Sequence, residues 1–119
     1  MQVEHSSAAC KQHIRAFTDT LEILSGKWIV LIIGHLASGK KRYLELQRSV
    51  EGIGPKMLSK ELQSLELNGL VKRSVLNTKP ITVEYELTSY GASLKPIIDA
   101  MADWGVAHRE RVIKEMTAQ

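Results

Sequence analysis

Between Gly54 and Gly69 runs Pro55-Lys56-Met57-Leu58-Ser59-Lys60-Glu61-Leu62-Gln63-Ser64-Leu65-Glu66-Leu67-Asn68, and this stretch limits the possible folds more than any other in the chain. Glycine followed by proline suits an N-cap and first helical position, because proline's missing N–H would have had no partner there. Asn68-Gly69 supplies a left-handed stop. Leu58, Leu62 and Leu65 recur at i, i+4 and i+7, so they form one apolar stripe, and Lys56, Lys60 and Gln63 fall on the opposite side. Two lysines on an outer helix face are common in soluble proteins. Long donors on the first two turns of a helix are also what phosphates and major-groove base edges require. The flanking stretches decide between these readings.

A chain of 119 residues, 44% of them hydrophobic, is enough for one domain with a compact core. Sixteen Lys and Arg against thirteen Asp and Glu give a net charge of +3, which permits a polyanionic partner without requiring one. Placement says more. Basic residues gather at Lys40-Lys41-Arg42, Lys56, Lys60, Lys72-Arg73 and Lys79, whereas Asp19, Glu22, Asp99, Asp103 and Glu110 lie elsewhere. One side of the molecule is therefore expected to be basic.

In chain order, Ile14, Phe17, Leu21 and Leu24 repeat at helical spacing, which predicts a first helix from Cys10 to Leu24 with one buried face. Ser25-Gly26 breaks it, and Ser25 is expected to cap the next helix, Lys27 to about Ala37. There Trp28 to Ile33 is apolar on every side, which reads as a helix surrounded by others. A buried strand competes for so β-branched a run, but the apolar character continues to Leu36, too far for a typical strand. Ser38 to Arg42 reads as a turn with a short strand, and Tyr43, Leu46 and Val50 as a short third helix. A short helix, a glycine-containing turn and a longer helix with a polar outer face make a helix-turn-helix. Val71 to Leu76 and Thr82 to Leu87 then read as strands, with Val83, Tyr85 and Leu87 facing inward and a turn at Asn77 to Ile81. Such a hairpin is a wing, and Lys72, Arg73 and Lys79 place charge on it. Lysines that blunt a strand edge are the competing explanation.

Thr88 is expected to cap a last helix to about Lys114, striped by Leu94, Ile97, Ile98, Met101, Trp104 and His108 and bent at Pro96. The first and last helices are surplus to a three-helix core with a wing, so their stripes must bury against something. A second copy of the chain is the economical answer.

Catalytic chemistry is not visible: no phosphate loop, nucleophile elbow or zinc-protease motif occurs. His5, His13, His35 and His108 show no pairing with carboxylates or a thiol that would build a metal site. Trp28 and Trp104 are expected to fill cores rather than line a ligand pocket. Cys10 is the single cysteine, which excludes an internal disulfide and suits a reducing cytoplasm; its place near a helix start beside Lys11 favours a thiolate. No signal peptide is visible at the N-terminus, and the longest apolar run falls far short of the roughly 20 residues of a membrane span.

Taken together, Leu24-Ser25-Gly26-Lys27-Trp28, Arg42-Tyr43-Leu44-Glu45-Leu46, Ile53-Gly54-Pro55-Lys56-Met57-Leu58-Ser59, Gly69-Leu70-Val71 and Val83-Glu84-Tyr85-Glu86-Leu87-Thr88 with Gly91 resemble the HxlR family of bacterial transcription regulators. The resemblance spans about residues 10 to 108. It implies a winged helix-turn-helix, a homodimer built from the first and last helices, and control of nearby genes through operator binding. Carried over by position, the recognition helix is Pro55 to Asn68, with Lys56, Ser59 and Lys60 at its DNA-facing start, and the wing is Asn77 to Thr82. In some members an N-terminal cysteine senses electrophiles, hypochlorite or quinones. Cys10 resembles it, although here lysine rather than proline follows and the cysteine lies further from the Gly-Lys-Trp motif.

The combined expectation is a mainly α protein with a small β-hairpin wing, a winged helix-turn-helix with extra N- and C-terminal dimerisation helices. Residues 1–9 are expected to be a flexible N-terminus, 10–114 one domain and 115–119 a tail. DNA is expected to meet Arg42, Pro55, Lys56, Ser59, Lys60, Gln63, Arg73 and Lys79, and a dimer interface to use Ile14, Phe17, Leu21, Ile97, Met101, Trp104 and His108. A homodimer on double-stranded DNA, cytoplasmic and without a cofactor, is the leading reading. The alternatives are a winged-helix protein-interaction module without DNA binding and a thiol-based redox sensor through Cys10.

Overall fold

The fold was established from a computed structural model, which describes residues 7–118. In chain order the elements are α1 (Ser7–Leu24), α2 (Lys27–Leu36), β1 (Lys41–Arg42), α3 (Tyr43–Ser49), α4 (Pro55–Leu67), β2 (Val71–Leu76), β3 (Thr82–Leu87), α5 (Ser89–Ala92) and α6 (Lys95–Thr117). The three strands form an antiparallel sheet in the order β1-β3-β2. Val71 lies opposite Leu87, Arg73 opposite Tyr85 and Val75 opposite Val83, while β1 adds Lys41 opposite Tyr85 and Arg42 opposite Glu84.

The core forms where helical and strand periodicities meet. Ile29, Ile32, Ile33 and Leu36 of α2, Leu46 of α3 and Leu58, Leu62 and Leu65 of α4 are buried together with Val50, Ile53, Leu70, Val71 and Tyr85. The α4 stripe is thus the expected one, and its ends are too: Gly54 caps with extended backbone, Pro55 starts the helix, and Gly69 has a φ of 73°. Trp28 is half-buried against this core and reaches the α3–α4 turn, where its Cη2 lies 3.7 Å from the place a Cβ would take on Gly52. In α3 the Glu45 carboxylate accepts the Arg42 backbone N–H at 2.9 Å, reaching back to satisfy a donor that the helix start leaves open.

Several expectations are corrected. Helix α1 starts at Ser7 rather than Cys10, so residues 7–9 are helical; residues 1–6, the rest of the expected flexible N-terminus, lie outside the described residues. Ser25 does not cap α2. Gly26 holds the cap position, and the Ser25 hydroxyl donates backward to the Glu22 carbonyl at 3.2 Å. Nor is α2 enclosed on all sides, since Leu31 is 39% exposed and Gly34 is open. The single last helix is in fact two. Thr88 caps only the four-residue α5, and the chain turns at Ser93-Leu94 before α6. Pro96 therefore bends nothing, because in the first turn of α6 its missing N–H has no helical acceptor to lose. That helix continues through Thr117, into the expected tail. Trp104 is not a core residue: it is 70% exposed and stacks on His108, with ring centroids 5.0 Å apart.

Thr88 and Gly91 tie the helical and sheet layers together. The Thr88 N–H donates to the Leu70 carbonyl at 3.1 Å, its hydroxyl donates to the Gly69 carbonyl at 2.6 Å, and the same oxygen accepts the Gly91 N–H at 3.0 Å. This draws the backbone of α5 so close to Leu70 that any Cβ on Gly91 would collide with the Leu70 carbonyl oxygen. Two substitutions test these local devices. Gly91→Ala is expected to cost on the order of 2–3 kcal/mol, the range of overpacking in a rigid site, and to lower Tm by roughly 10 °C; an unchanged thermal midpoint would contradict the close approach. Glu45→Ala removes the acceptor at the start of α3 and is expected to cost about 1 kcal/mol in denaturant titration, whereas an unshifted midpoint would show the cap to be idle.

Candidate nucleic-acid interface

On α4, the three buried leucines fix the rotation of the helix, and the residues left outside follow from it. Lys56, Ser59, Lys60 and Gln63 stand at i, i+3, i+4 and i+7, are all exposed, and form one strip along the first two turns and into the third. Pro55 is exposed at the head of the strip. No ion pair among the described residues engages Lys56 or Lys60, so both ammonium groups are available to an anion.

The first turn of this helix is held by a side chain from α3. The Tyr43 hydroxyl donates to the Pro55 carbonyl at 2.9 Å and lies 3.0 Å from the Ser59 hydroxyl, while its ring packs against Tyr85 of β3 with centroids 6.5 Å apart. One phenol thereby links the sheet, the first helix of the helix-turn-helix and the start of the second. The sequence reading placed Tyr43 only on an amphipathic face and missed this link. A tyrosine at the first position of a short helix, directly after a basic strand, was the available signal.

In the hairpin, Lys72 and Arg73 do not act as one cluster, because successive strand residues point to opposite faces. Arg73 shares the face of Tyr85, whereas Lys72 lies opposite Glu86 on the outer face. That outer face also carries Glu84, which pairs with Lys40 at 3.6 Å, and Arg42 stands opposite Glu84 in the register. Arg42, Arg73 and Lys79 are all exposed. Lys79 projects from the connection between β2 and β3. This loop is pinned where the Thr78 hydroxyl donates to the Pro80 carbonyl at 2.8 Å and bonds the Thr82 hydroxyl at 2.9 Å. Exposed cations thus occur on α4, at the hairpin tip and on both faces of the sheet, Arg73 on the helix side and Arg42 and Lys72 on the outer side beside Glu84 and Glu86.

The residues expected at a dimer interface lie elsewhere. Ile14, Phe17 and Leu21 on α1, and Ile97, Met101 and Trp104 on α6, are exposed, as is His108. Cys10 is half-buried in the first turn of α1. Also on α6, Lys95 donates to Asp99 at 2.8 Å, and this hydrogen bond, with the Asp99 charge, raises the Lys95 pKa above its ordinary value. Among the described residues no group of three His, Cys, Asp or Glu is arranged to hold a metal ion, and no helix is long and apolar enough to cross a membrane.

Comparison with known proteins agrees with this geometry. The model of the HxlR-like helix-turn-helix family matches residues 23–113. The uncharacterized HTH-type transcriptional regulator YtcD of Bacillus subtilis (strain 168) is 47% identical over 93 residues, covering 78% of this chain and 74% of the relative. An uncharacterized HTH-type transcriptional regulator of Methanothermobacter thermautotrophicus is 42% identical over 82 residues, covering 69% of this chain and 63% of its own length. Among solved structures, the redox regulator HypR in its reduced form superposes with a TM-score of 0.77 at 36% identity, covering 83% of this chain and 98% of HypR. With a helix-turn-helix built on α3 and α4, a hairpin wing beside it and a family match across most of its length, the chain belongs to the HxlR family of winged helix-turn-helix transcriptional regulators and is not an enzyme.

Proposed function

We propose that this protein acts in the cytoplasm as a homodimer that binds an inverted-repeat operator in double-stranded DNA. The observation that carries the reading is the exposed strip Lys56, Ser59, Lys60 and Gln63 on α4, without an ion pair among the described residues and presented by a buried leucine stripe. In this reading α4 enters the major groove, Lys56 and Lys60 take phosphates, and Pro55, Ser59 and Gln63 meet base edges. Arg42, Arg73 and Lys79 add backbone contacts, with Lys79 at the wing tip tracking the phosphates of a neighbouring groove.

The dimer reading rests on two long helices that lean on their own core only at one end, through Ile23 and Leu24 of α1 and Ile98 of α6. Neither the 18 residues of α1 nor the 23 of α6 include a buried residue. Exposed amphipathic helices are marginal in water without tertiary packing. Together Ile14, Phe17, Leu21, Ile97, Met101 and Trp104 expose on the order of 700 Å² of mostly apolar surface, close to the roughly 800 Å² per partner of a stable interface. Beside them, a groove of about 400 Å³ between α2 and α6, lined by Leu31, Gly34, Ile98 and Met101, offers a seat for a partner helix. A two-fold axis through these helices sets the two copies of α4 about 34 Å apart, one turn of duplex.

A second reading, redox control through Cys10, has one specific support besides the similarity to the redox regulator HypR. Cys10 stands at i relative to Ile14, Phe17 and Leu21 at i+4, i+7 and i+11, on the proposed dimer face, so oxidation there would act on subunit packing.

Fluorescence anisotropy on the gene's own upstream DNA tests the DNA reading. Affinity is expected to fall steeply between 50 and 200 mM salt, and Lys79→Ala to lower the slope of log K against log salt by about one; a salt-independent Kd would contradict phosphate capture. Sedimentation tests the dimer. Phe17→Asp and Trp104→Asp, both at exposed positions of the folded chain, are expected to give monomers that bind operator at least about 100-fold more weakly, and dimers that persist in both variants would contradict the assignment.

A further inference from the structure

We infer that the Ser59 hydroxyl is locked as a hydrogen-bond acceptor and selects a base that presents an amino group in the major groove, adenine through N6 or cytosine through N4. The inference rests on the proposed entry of α4 into the major groove and follows from counting protons at three oxygens. Tyr43 Oη lies 2.9 Å from the Pro55 carbonyl oxygen and 3.0 Å from Ser59 Oγ. A carbonyl oxygen has no proton to give, so the phenol must donate to Pro55. The phenol has only one proton. The contact between Tyr43 and Ser59 is therefore made by the Ser59 proton, donated to a lone pair of Tyr43 Oη. The opposite assignment leaves two bare oxygens facing each other 2.9 Å apart at the Pro55 carbonyl, which is repulsive.

With its proton committed, Ser59 Oγ keeps only lone pairs for a ligand. Serine ordinarily accepts or donates according to need, which is why it is a poor discriminator of bases. Here the choice is removed. Phosphate oxygens, guanine O6 and N7 and thymine O4 are all acceptors, and none can bond an oxygen that has no proton to offer. The exocyclic amino groups of adenine and cytosine can. Ser59 is exposed, so a base edge can reach it, and Tyr43 is half-buried with its ring against Tyr85, so the phenol cannot easily turn away. Tyr43 is thus a positioning residue and Ser59 the specificity-determining one.

The test needs the operator chosen by the protein itself, obtained by selecting bound duplexes from a randomised library. Ser59→Ala identifies the base pair whose preference depends on this hydroxyl. At that pair, deleting the exocyclic amino group, with purine in place of adenine or 2-pyrimidinone in place of cytosine, is expected to weaken binding by the unaltered protein about fivefold more than binding by the Ser59→Ala protein. Tyr43→Phe frees the Ser59 proton. It is expected to reduce the preference for that pair over its strand-swapped form about fivefold while leaving affinity for non-specific DNA within about twofold, a split that a general loosening of the fold would not produce. The inference is overturned if the amino deletion costs both proteins equally, if Ser59→Ala alters no position, or if Tyr43→Phe keeps the full preference. Were the library to yield no enriched sequence at all, the DNA-reading role itself would fall, and this inference with it.

Discussion

Everything on the proposed DNA-facing side depends on how α4 is rotated, and that rotation is set by Leu58, Leu62 and Leu65 entering the core. Burying a leucine side chain contributes roughly 1.5–3 kcal/mol, so turning the helix far enough to hide its lysines would expose three such side chains and lose a large fraction of a small domain's stability. No ion pair among the described residues holds the lysines outward, although burying their charge would add a desolvation cost. They are outward because the apolar stripe is inward, and a helix has two sides. The Tyr43 hydroxyl adds direction to this non-directional force by tying the first turn of α4 to α3. Thr88 and Gly91 do the same where the wing returns to the helices.

The molecule divides into a packed centre and two unpacked arms. The centre satisfies its own requirements: the buried residues are apolar, and no buried side-chain polar atom among the described residues lacks a partner. The arms do not. Both α1 and α6 are amphipathic helices with an apolar face open to water, which gives the fold its long axis of 59 Å against a thickness of 22 Å. A domain that needs only α2 to β3 for its core, yet carries 41 further residues of exposed helix, has a surface whose natural complement is its own copy.

Much of this was legible in the sequence where a periodic pattern coincided with a chemical stop signal. For α4, the leucine spacing, Gly54-Pro55 and Asn68-Gly69 agreed, and its bounds came out as read. The hairpin was equally clear, because Val83, Tyr85 and Leu87 alternate and Asn77 to Ile81 cannot continue a strand. The misreadings occurred where one pattern had two physical outcomes. The stripe from Leu94 to His108 looks continuous, but Leu94 and Ile98 pack on the core of their own chain while Ile97, Met101 and Trp104 face away from it, and periodicity alone cannot tell a core from an interface. Pro96 carried the same ambiguity, since proline both kinks helices and begins them. Long-range hydrogen bonds were out of reach: the link from Tyr43 to Pro55 and Ser59 joins residues 12 and 16 positions apart, and only the folded backbone brings them together.

The orientation of α4 on DNA is tested most directly by photo-crosslinking from single positions in the complex with operator. A photoreactive residue at Gln63, on the exposed strip, is expected to attach to bases in the major groove, while one at Asp103, an exposed position of α6, is expected to attach to no DNA. Strong crosslinks from position 103 together with none from position 63 would contradict the proposed binding face.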